Sequence, residues 1–113
     1  MTDCLFCKIS NGEIPANKVY ENDDFLAFNY IDPKAPVHIL VIPKKHFDNI
    51  SELSFSDKKL TAGLMSTASK IAELENLTKG FRIVLNTGVD GGQSVFHVHA
   101  HLLGGRSLTW PPG

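Results

Sequence analysis

The sequence has almost no net charge, no long apolar run and no apolar stretch at its N-terminal end, and each of these absences excludes a class of protein. The formal net charge of −1 supplies no positive field for a nucleic-acid backbone, so we expect no nucleic-acid partner. No apolar run approaches the roughly 20 residues of a membrane span, so we expect no membrane anchor. The N-terminal stretch MTDCLFCKIS contains an acid and has no apolar signal core, which favours a cytoplasmic protein.

The length and composition are those of one small globular unit. With 113 residues, of which 42% are hydrophobic and 20% charged, the chain suits a single domain over residues 1–113. A domain of this size buries a modest core, so dimerisation would help to stabilise it.

Apolar patterning predicts an α+β fold with a mainly antiparallel five-stranded sheet, one long helix and one short helix. The short helix lies within 6–14 and ends at Asn11-Gly12, and the long one is capped by Ser54 with Asp57 and ends at Lys79-Gly80. The predicted strands are 18–22, 24–29, 38–43, 81–86 and 95–103. Residues 31–36 and the glycine-rich 87–94 read as loops, and the tail GGRSLTWPPG as irregular.

Three of the five histidines stand in alternation within FHVHAHLLGG. On a strand His97, His99 and His101 share one face, while the apolar residues between them turn towards the core. The outer pair would lie about 13 Å apart at Cα, so three ligands in a row reach one metal ion only with difficulty. The alternative is nucleophilic catalysis by a neutral imidazole that a hydrogen bond orients.

The loop GVDGGQS precedes this histidine face. Glycines allow backbone N–H groups to converge on an anion, and Gln93 and Ser94 add donors. The same composition also suits a plain turn. Beside the histidines, a phosphate cradle is the better interpretation, and it favours phosphoryl or nucleotidyl transfer.

The stretch HVHAHLL fits the histidine-triad motif, in which three histidines alternate with apolar residues. The segments FCKISNGEIPA, HILVIPKKH, DGGQSVFHVH and LGGRSLTWPPG also resemble this family, so the resemblance covers nearly the whole chain. It is closest to the nucleotide-binding branch, whose members are purine nucleoside phosphoramidases. The resemblance implies an α+β domain that dimerises into one continuous sheet, with the tail of one protomer near the site of its partner.

The same resemblance implies roles for individual residues. His99 would attack the α-phosphorus and form a nucleotidyl-histidine, with a main-chain carbonyl orienting its ring. The other residues implied in catalysis are His97, His101, Ser94, Gln93 and His38. The residues implied around the nucleotide are Phe6, Ile9, Phe28, Asn29, Tyr30, Ile31, Asn86, Gly92, Gln93, Ser94, Val95, His99 and His101. Plain core packing is the alternative for Ile9 and Phe28, and an ordinary buried histidine is the alternative for His38.

A second constellation also follows from the resemblance: some family members hold a structural zinc on residues that match Cys4, Cys7, His46 and His97. A closed Cys₂His₂ set is typical of a structural zinc ion. The alternative is a pair of reduced cysteines near the surface.

Two features leave choices open. Tyr30 stands where this branch has an acid for the ribose hydroxyls, and Asn29 stands where it often has histidine. The leading function is hydrolysis of purine nucleoside 5′-phosphoramidates, and the alternative is a nucleotide-binding regulatory module with little turnover. A zinc hydrolase needs an open metal position, which a closed set lacks.

Overall fold

An antiparallel five-stranded sheet organises the computed structural model, which describes residues 3–113; Met1 and Thr2, part of the predicted domain 1–113, lie outside the described residues. The strands are β1 Lys18–Glu21, β2 Phe25–Asn29, β3 Val37–Pro43, β4 Phe81–Val84 and β5 Ala100–Gly104. Their order is β1-β2-β3-β5-β4, and every neighbouring pair is antiparallel. The predicted α+β class and five-stranded antiparallel sheet are confirmed.

The central strand β3 is buried on both faces, which explains why its sequence is apolar apart from His38. Ile39 and Val41 belong to the larger core cluster, which the helices cover. Leu40 and Ile42 belong to a smaller cluster on the other face, together with Phe6. The sheet therefore separates a structural core from a second apolar face, and the second face is where the histidines lie.

Four helices complete the described chain: α1 Leu5–Ser10, α2 Ile50–Ser56, α3 Lys58–Leu74 and α4 Gly88–Gly91. The predicted short helix corresponds to α1. The predicted long helix corresponds to α3 but was wrong at both ends, and α2 and α4 were not predicted; α4 lies within the segment 87–94 that was expected to be a loop. Ser54 lies inside α2, whereas Asp57 is the extended residue between α2 and α3 and caps α3 by accepting a hydrogen bond from the Leu60 N–H at 2.9 Å. The chain leaves α3 before Lys79-Gly80 because Asn76 adopts a positive φ of 59°.

The last strand was also predicted too long. Strand pairing starts at Ala100 rather than at 95, and only one of the three alternating histidines, His101, lies in β5. In the antiparallel register, Val41 pairs with Ala100, so Pro43 falls opposite the preceding segment. Proline has no N–H for the ladder, and the Pro43 carbonyl instead accepts a hydrogen bond from the His97 ring at 2.7 Å.

Candidate active site and metal centre

The alternation of side chains persists although the ladder ends. Val98, Ala100 and Leu102 are buried in the larger core cluster, as predicted. The intervening histidines emerge on the opposite face, where the Phe6 ring lies edge-on to His97 and His99 at centroid distances of 6.0 and 5.1 Å. The extended backbone alone suffices to separate the polar and apolar side chains.

A cavity of about 910 Å³ opens on this face. It brings together nearly all the residues predicted for the nucleotide, and the predicted ones that line it are Phe6, Ile9, Phe28, Asn29, Tyr30, Ile31, His38, Asn86, Gly92, Ser94, Val95, His99 and His101. Two of the predicted catalytic residues, Gln93 and His97, are buried outside its lining. The volume is within the range of small-molecule sites.

His99 is held as a neutral imidazole. Its Nδ1 lies 2.8 Å from the main-chain oxygen of His97, and because a carbonyl only accepts, Nδ1 carries the proton. Nε2 is then unprotonated and nucleophilic. Burial lowers the pKa of His99, and the hydrogen bond to the His97 carbonyl opposes that shift in part. The ring is therefore neutral at pH 7, as a nucleophile requires.

His101 lies beside His99, with ring centroids 5.0 Å apart. Its Nδ1 is 2.9 Å from Nε2 of His38, which is buried on β3. Burial, followed by the proximity of His99 and His38, lowers the pKa of His101 to about 4. Burial also lowers the pKa of His38. All of these imidazoles are uncharged at neutral pH, so they offer directed N–H groups rather than positive charge.

The glycine-rich loop closes one end of the cavity. Gly92 ends α4 in the left-handed conformation, φ 85°, which glycine adopts without strain. The side-chain amide of Gln93 donates to the main-chain oxygens of Asp48 and Val95 and accepts from the Gly88 N–H. Gln93 thus connects the loop to the neighbouring segment at Asp48, while Ser94 lines the cavity.

Cys4, Cys7, His46 and His97 meet in one cluster, with their ligand atoms all within 4.8 Å of one another. His97 Nδ1 lies 3.3 Å from Cys4 Sγ, 3.5 Å from Cys7 Sγ and 3.2 Å from His46 Nδ1. Tetrahedral zinc with bonds of 2.0–2.3 Å would place its ligand atoms about 3.3–3.8 Å apart. The cluster therefore has the dimensions of a tetrahedral zinc site.

Hydrogen bonds outside the cluster prepare both imidazoles for a metal. His97 Nε2 donates to the Pro43 carbonyl at 2.7 Å, and His46 Nε2 donates to the Asp48 carboxylate at 2.9 Å. Each ring therefore keeps its Nδ1 unprotonated and directed into the cluster, the tautomer that metal ligands need. Two unprotonated nitrogens 3.2 Å apart share no proton, and a zinc ion bound between them would account for their approach. The donor set fits the structural zinc ion that the sequence predicts.

Further residues line the cavity that the sequence reasoning did not select: Leu5, Ile14, Pro15, Ala16, Asn17, Lys34, Leu40, Val84 and Leu103. Leu40 could have been found, since it shares a strand face with His38 two residues away. Asn17 and Lys34 stand in irregular segments, where no periodicity indicates which way a side chain points.

Comparisons with known proteins agree with this geometry. A family model for the HIT domain matches residues 11–108. A 14 kDa zinc-binding protein from Brassica juncea is 47% identical over 114 residues, covering 98% of this chain and all of the relative. Adenylylsulfatase HINT1 from Arabidopsis thaliana is 47% identical over 112 residues, covering 96% of this chain and 76% of that protein.

A solved structure agrees as well. The crystal structure of a HIT family hydrolase from Legionella pneumophila has a TM-score of 0.95 and 51% identity, and the match covers 98% of this chain and all of that one. Fold and site together define an α+β domain with a histidine-lined cavity beside a Cys₂His₂ cluster. The chain belongs to the HIT family.

No helix among residues 3–113 has the length and apolar character needed to cross a membrane.

Proposed function

We propose that this protein is a hydrolase of purine nucleoside 5′-phosphoramidates that works through a nucleotidyl-histidine on His99. The observation that carries the proposal is the hydrogen bond from His99 Nδ1 to the His97 carbonyl, at 2.8 Å. It leaves Nε2 as an uncharged nucleophile in a ring that lines the cavity. No base is needed to deprotonate the nucleophile, since the attacking Nε2 of His99 already has a free lone pair.

The reaction consumes one water and balances in two steps. Nε2 attacks the α-phosphorus, a P–N bond to His99 forms, the P–N bond to the amine breaks, and the departing amine takes up a proton. Water then attacks the same phosphorus, the nucleoside monophosphate leaves His99, and a proton is released. His101, Ser94 and Gly92 line the cavity and would donate hydrogen bonds to the phosphate oxygens.

An apolar wall supports the purine assignment. Phe6, Ile9 and Phe28 are buried in the smaller cluster and also line the cavity, so they combine core packing with contact to a flat base. Ile31 lies at the same cavity with 95% of its surface exposed, which indicates that this side chain has an apolar contact to gain when a base binds.

The Arabidopsis relative supports a second substrate class, because its name is that of an adenylylsulfatase. A nucleoside 5′-phosphosulfate presents the same α-phosphorus to His99, with sulfate instead of an amine as the leaving group. In the first step the P–O bond to sulfate would break and sulfate would leave as the P–N bond to His99 forms. The second step, attack by water, would be unchanged and would release the nucleoside monophosphate.

The zinc ion belongs to the proposal as a structural element. The Brassica relative is named as zinc-binding, and here the Cys₂His₂ set has no open position for water. When bound, zinc would supply the cross-link between the α1 segment and His97. The metal would hold the His97 carbonyl in place for His99 and take no part in the bond changes.

We place the protein in the cytoplasm as a homodimer. β4 lies at an edge of the sheet, where unpaired N–H and C=O groups can continue the sheet into a second protomer. Arg82 on β4 donates to the main-chain oxygens of Leu108 and Thr109, and Trp110 beyond them is 80% exposed. The tail would complete the site of its partner. Sedimentation of a species near 12.4 kDa at micromolar concentration would contradict the dimer.

The test is turnover of adenosine 5′-phosphoramidate beside adenosine 5′-phosphosulfate, ATP, a diadenosine polyphosphate and AMP. We expect the phosphoramidate to be cleaved fastest and to leave AMP. The alternative, a regulatory module, would bind AMP and cleave none of the substrates. Faster turnover of the phosphosulfate would transfer the assignment to the second substrate class.

A further inference from the structure

Tyr30 lines the cavity next to two histidines that line it as well, His38 and His101. It follows β2 directly, and its backbone N–H donates to the His38 carbonyl at 2.9 Å. Its ring lies over the His38 ring with centroids 4.5 Å apart and planes inclined by 44°. The same ring meets His101 edge-on, with centroids at 5.8 Å and planes at 84°. One aromatic side chain therefore contacts both imidazoles.

A directional chain of hydrogen bonds runs beneath this ring. The backbone N–H of Lys34 donates to His38 Nδ1 at 3.0 Å, so Nδ1 is unprotonated. The proton of neutral His38 is then on Nε2, which lies 2.9 Å from His101 Nδ1 and must donate to it. His101 Nδ1 is an acceptor, so its proton is on Nε2. The main-chain N–H of Lys34 thus determines the tautomer of His38 and, through His38, that of His101.

From this geometry we infer that Tyr30 is a positioning residue: its ring covers the Lys34–His38–His101 hydrogen-bond chain and keeps His101 as a neutral imidazole with its Nε2–H available to the substrate. The inference rests on the proposed function for its use, since the Nε2–H would serve the phosphate or the leaving group of a nucleotide bound beside His99. The assignment of the tautomers rests on the protein alone.

An aromatic ring suits this position because it shields the two imidazoles without adding charge. The charged groups nearby are Asp32 and Lys34, whose ion pair of 2.7 Å is exposed to solvent. Their effects on the His38 pKa are opposite, since Lys34 lowers it and Asp32 raises it. A carboxylate in place of the phenol ring would stabilise a charged imidazolium, break the donor–acceptor sequence at His38 and change the hydrogen that His101 offers.

The experiment is NMR of the imidazole nitrogens in the zinc-loaded, full-length protein labelled with ¹⁵N-histidine and free of nucleotide. We expect wild-type His38 and His101 both to be Nε2–H tautomers, and the pKa of His101 to be near 4. In Tyr30→Ala we expect mixed tautomers, about tenfold faster exchange of the His38 Nε2 proton, and a His101 pKa that rises towards 6.5. Tyr30→Phe should behave as the wild type, because the ring and not the hydroxyl covers the chain.

Two results would overturn the inference. One is an Nδ1–H tautomer for His101 in the wild type, and the other is a Tyr30→Ala protein with unchanged tautomers, exchange and pKa. If Tyr30→Ala does not fold, Tyr30→Leu takes its place and should also loosen the chain, since an aliphatic side chain cannot reproduce the ring contacts with His38 and His101. A second pair tests the chain itself: His38→Gln, which can accept and donate, should preserve the His101 tautomer, whereas His38→Ala should not. None of these readouts uses turnover, so they stand apart from the test of the proposed function.

Discussion

His97 and His101 are each two residues from His99, yet they lie in opposite surroundings. His97 is fully buried, with Nε2 bonded to a carbonyl and Nδ1 in the Cys₂His₂ cluster. His101 is half-buried at the cavity, with Nδ1 bonded to His38. Both have a pKa near 4, and in both burial is the main cause. A depressed pKa therefore identifies neither role; the partners of the two ring nitrogens do.

The two neighbours of His99 therefore differ in what they offer it: His97 offers a main-chain acceptor, and His101 offers a side-chain donor to the cavity. On the His97 side, the cluster holds a residue whose carbonyl accepts a hydrogen bond from His99 Nδ1–H. On the His101 side, a hydrogen-bond chain presents a donor to the cavity. In the proposed reaction, His97 would orient the His99 nucleophile through its main-chain carbonyl, and His101 would contact the substrate.

Replacing the residue between the two sides should have the largest effect. We expect His99→Ala to lose several orders of magnitude in turnover, because a covalent nucleophile has no substitute in the cavity. Nucleoside monophosphate binding should remain, since the apolar wall and the loop are untouched. Steady-state kinetics and calorimetric titration with AMP are the measurements. Near-normal turnover would remove His99 from the role of nucleophile.

The comparison of the flanking histidines is tested most directly by truncating each. We expect His97→Ala to lose the zinc that the wild type carries at one ion per protomer, and His101→Ala to retain it. If zinc is present at a hundredfold over its Kd, its loss lowers the free energy of unfolding by about 3 kcal/mol. Cys4→Ser and Cys7→Ser should behave like His97→Ala, since metal binding stabilises the folded state.

Elemental analysis and thermal unfolding measure these effects. Freshly prepared wild-type protein without zinc would exclude the site. Loss of zinc from His101→Ala would show that the two sides are not separate.

The sequence predicted the contents of the site better than its geometry. Alternation placed Val98, Ala100 and Leu102 in the core, and this held because it needs only an extended backbone. The end of the strand escaped prediction because it depends on Pro43, which is distant in sequence but opposite in register. A local pattern carries no information about its partner strand.

The hydrogen bonds that set the tautomers of His38 and His101 could not be predicted, whereas the main-chain carbonyl that orients His99 was expected from the family resemblance. Lys34 matters through its main-chain N–H, which every residue except proline also has. Asp57 shows the same limit for helices: a residue with a good side chain for capping was read as part of a helix, and only the extended backbone conformation shows that it separates two.

The third test uses pH to isolate His101. Burial, then His99 and His38, lower its pKa to about 4 from its ordinary 6.5. The unfolded chain therefore binds more protons at this residue between these values, so stability is complete above pH 6.5 and is lost as the pH falls towards 4. After allowance for partial exposure, this loss is about 1–2 kcal/mol.

His101→Asn is the matched control, because its side-chain oxygen can accept from His38 and does not titrate. Urea unfolding at pH 7 and pH 4.5 should show a smaller decline for the variant than for the wild type. Release of zinc at low pH is common to both proteins and cancels in the difference. Equal declines would mean that His101 titrates normally in the folded protein.

The smallest expected effect concerns sugar selectivity on the His101 side, where Tyr30 lines the cavity. A carboxylate could accept charge-assisted hydrogen bonds from both ribose hydroxyls, whereas a phenol offers one uncharged hydroxyl. Losing such a bond costs roughly 1–3 kcal/mol in a buried site. We therefore expect the wild type to accept adenosine and 2′-deoxyadenosine phosphoramidates within about tenfold in kcat/KM, and Tyr30→Asp to widen the gap.

The added carboxylate also disturbs His38 and His101, but both substrates experience that change equally, so the ratio of the two kcat/KM values reports on the sugar alone. Asp32 is not among the residues that line the cavity, and its exposed carboxylate pairs with Lys34 at 2.7 Å, so we do not expect it to replace the acid. A wild type that rejects the deoxy substrate about a thousandfold, with the ratio unchanged in Tyr30→Asp, would show that another residue contacts the 2′-hydroxyl.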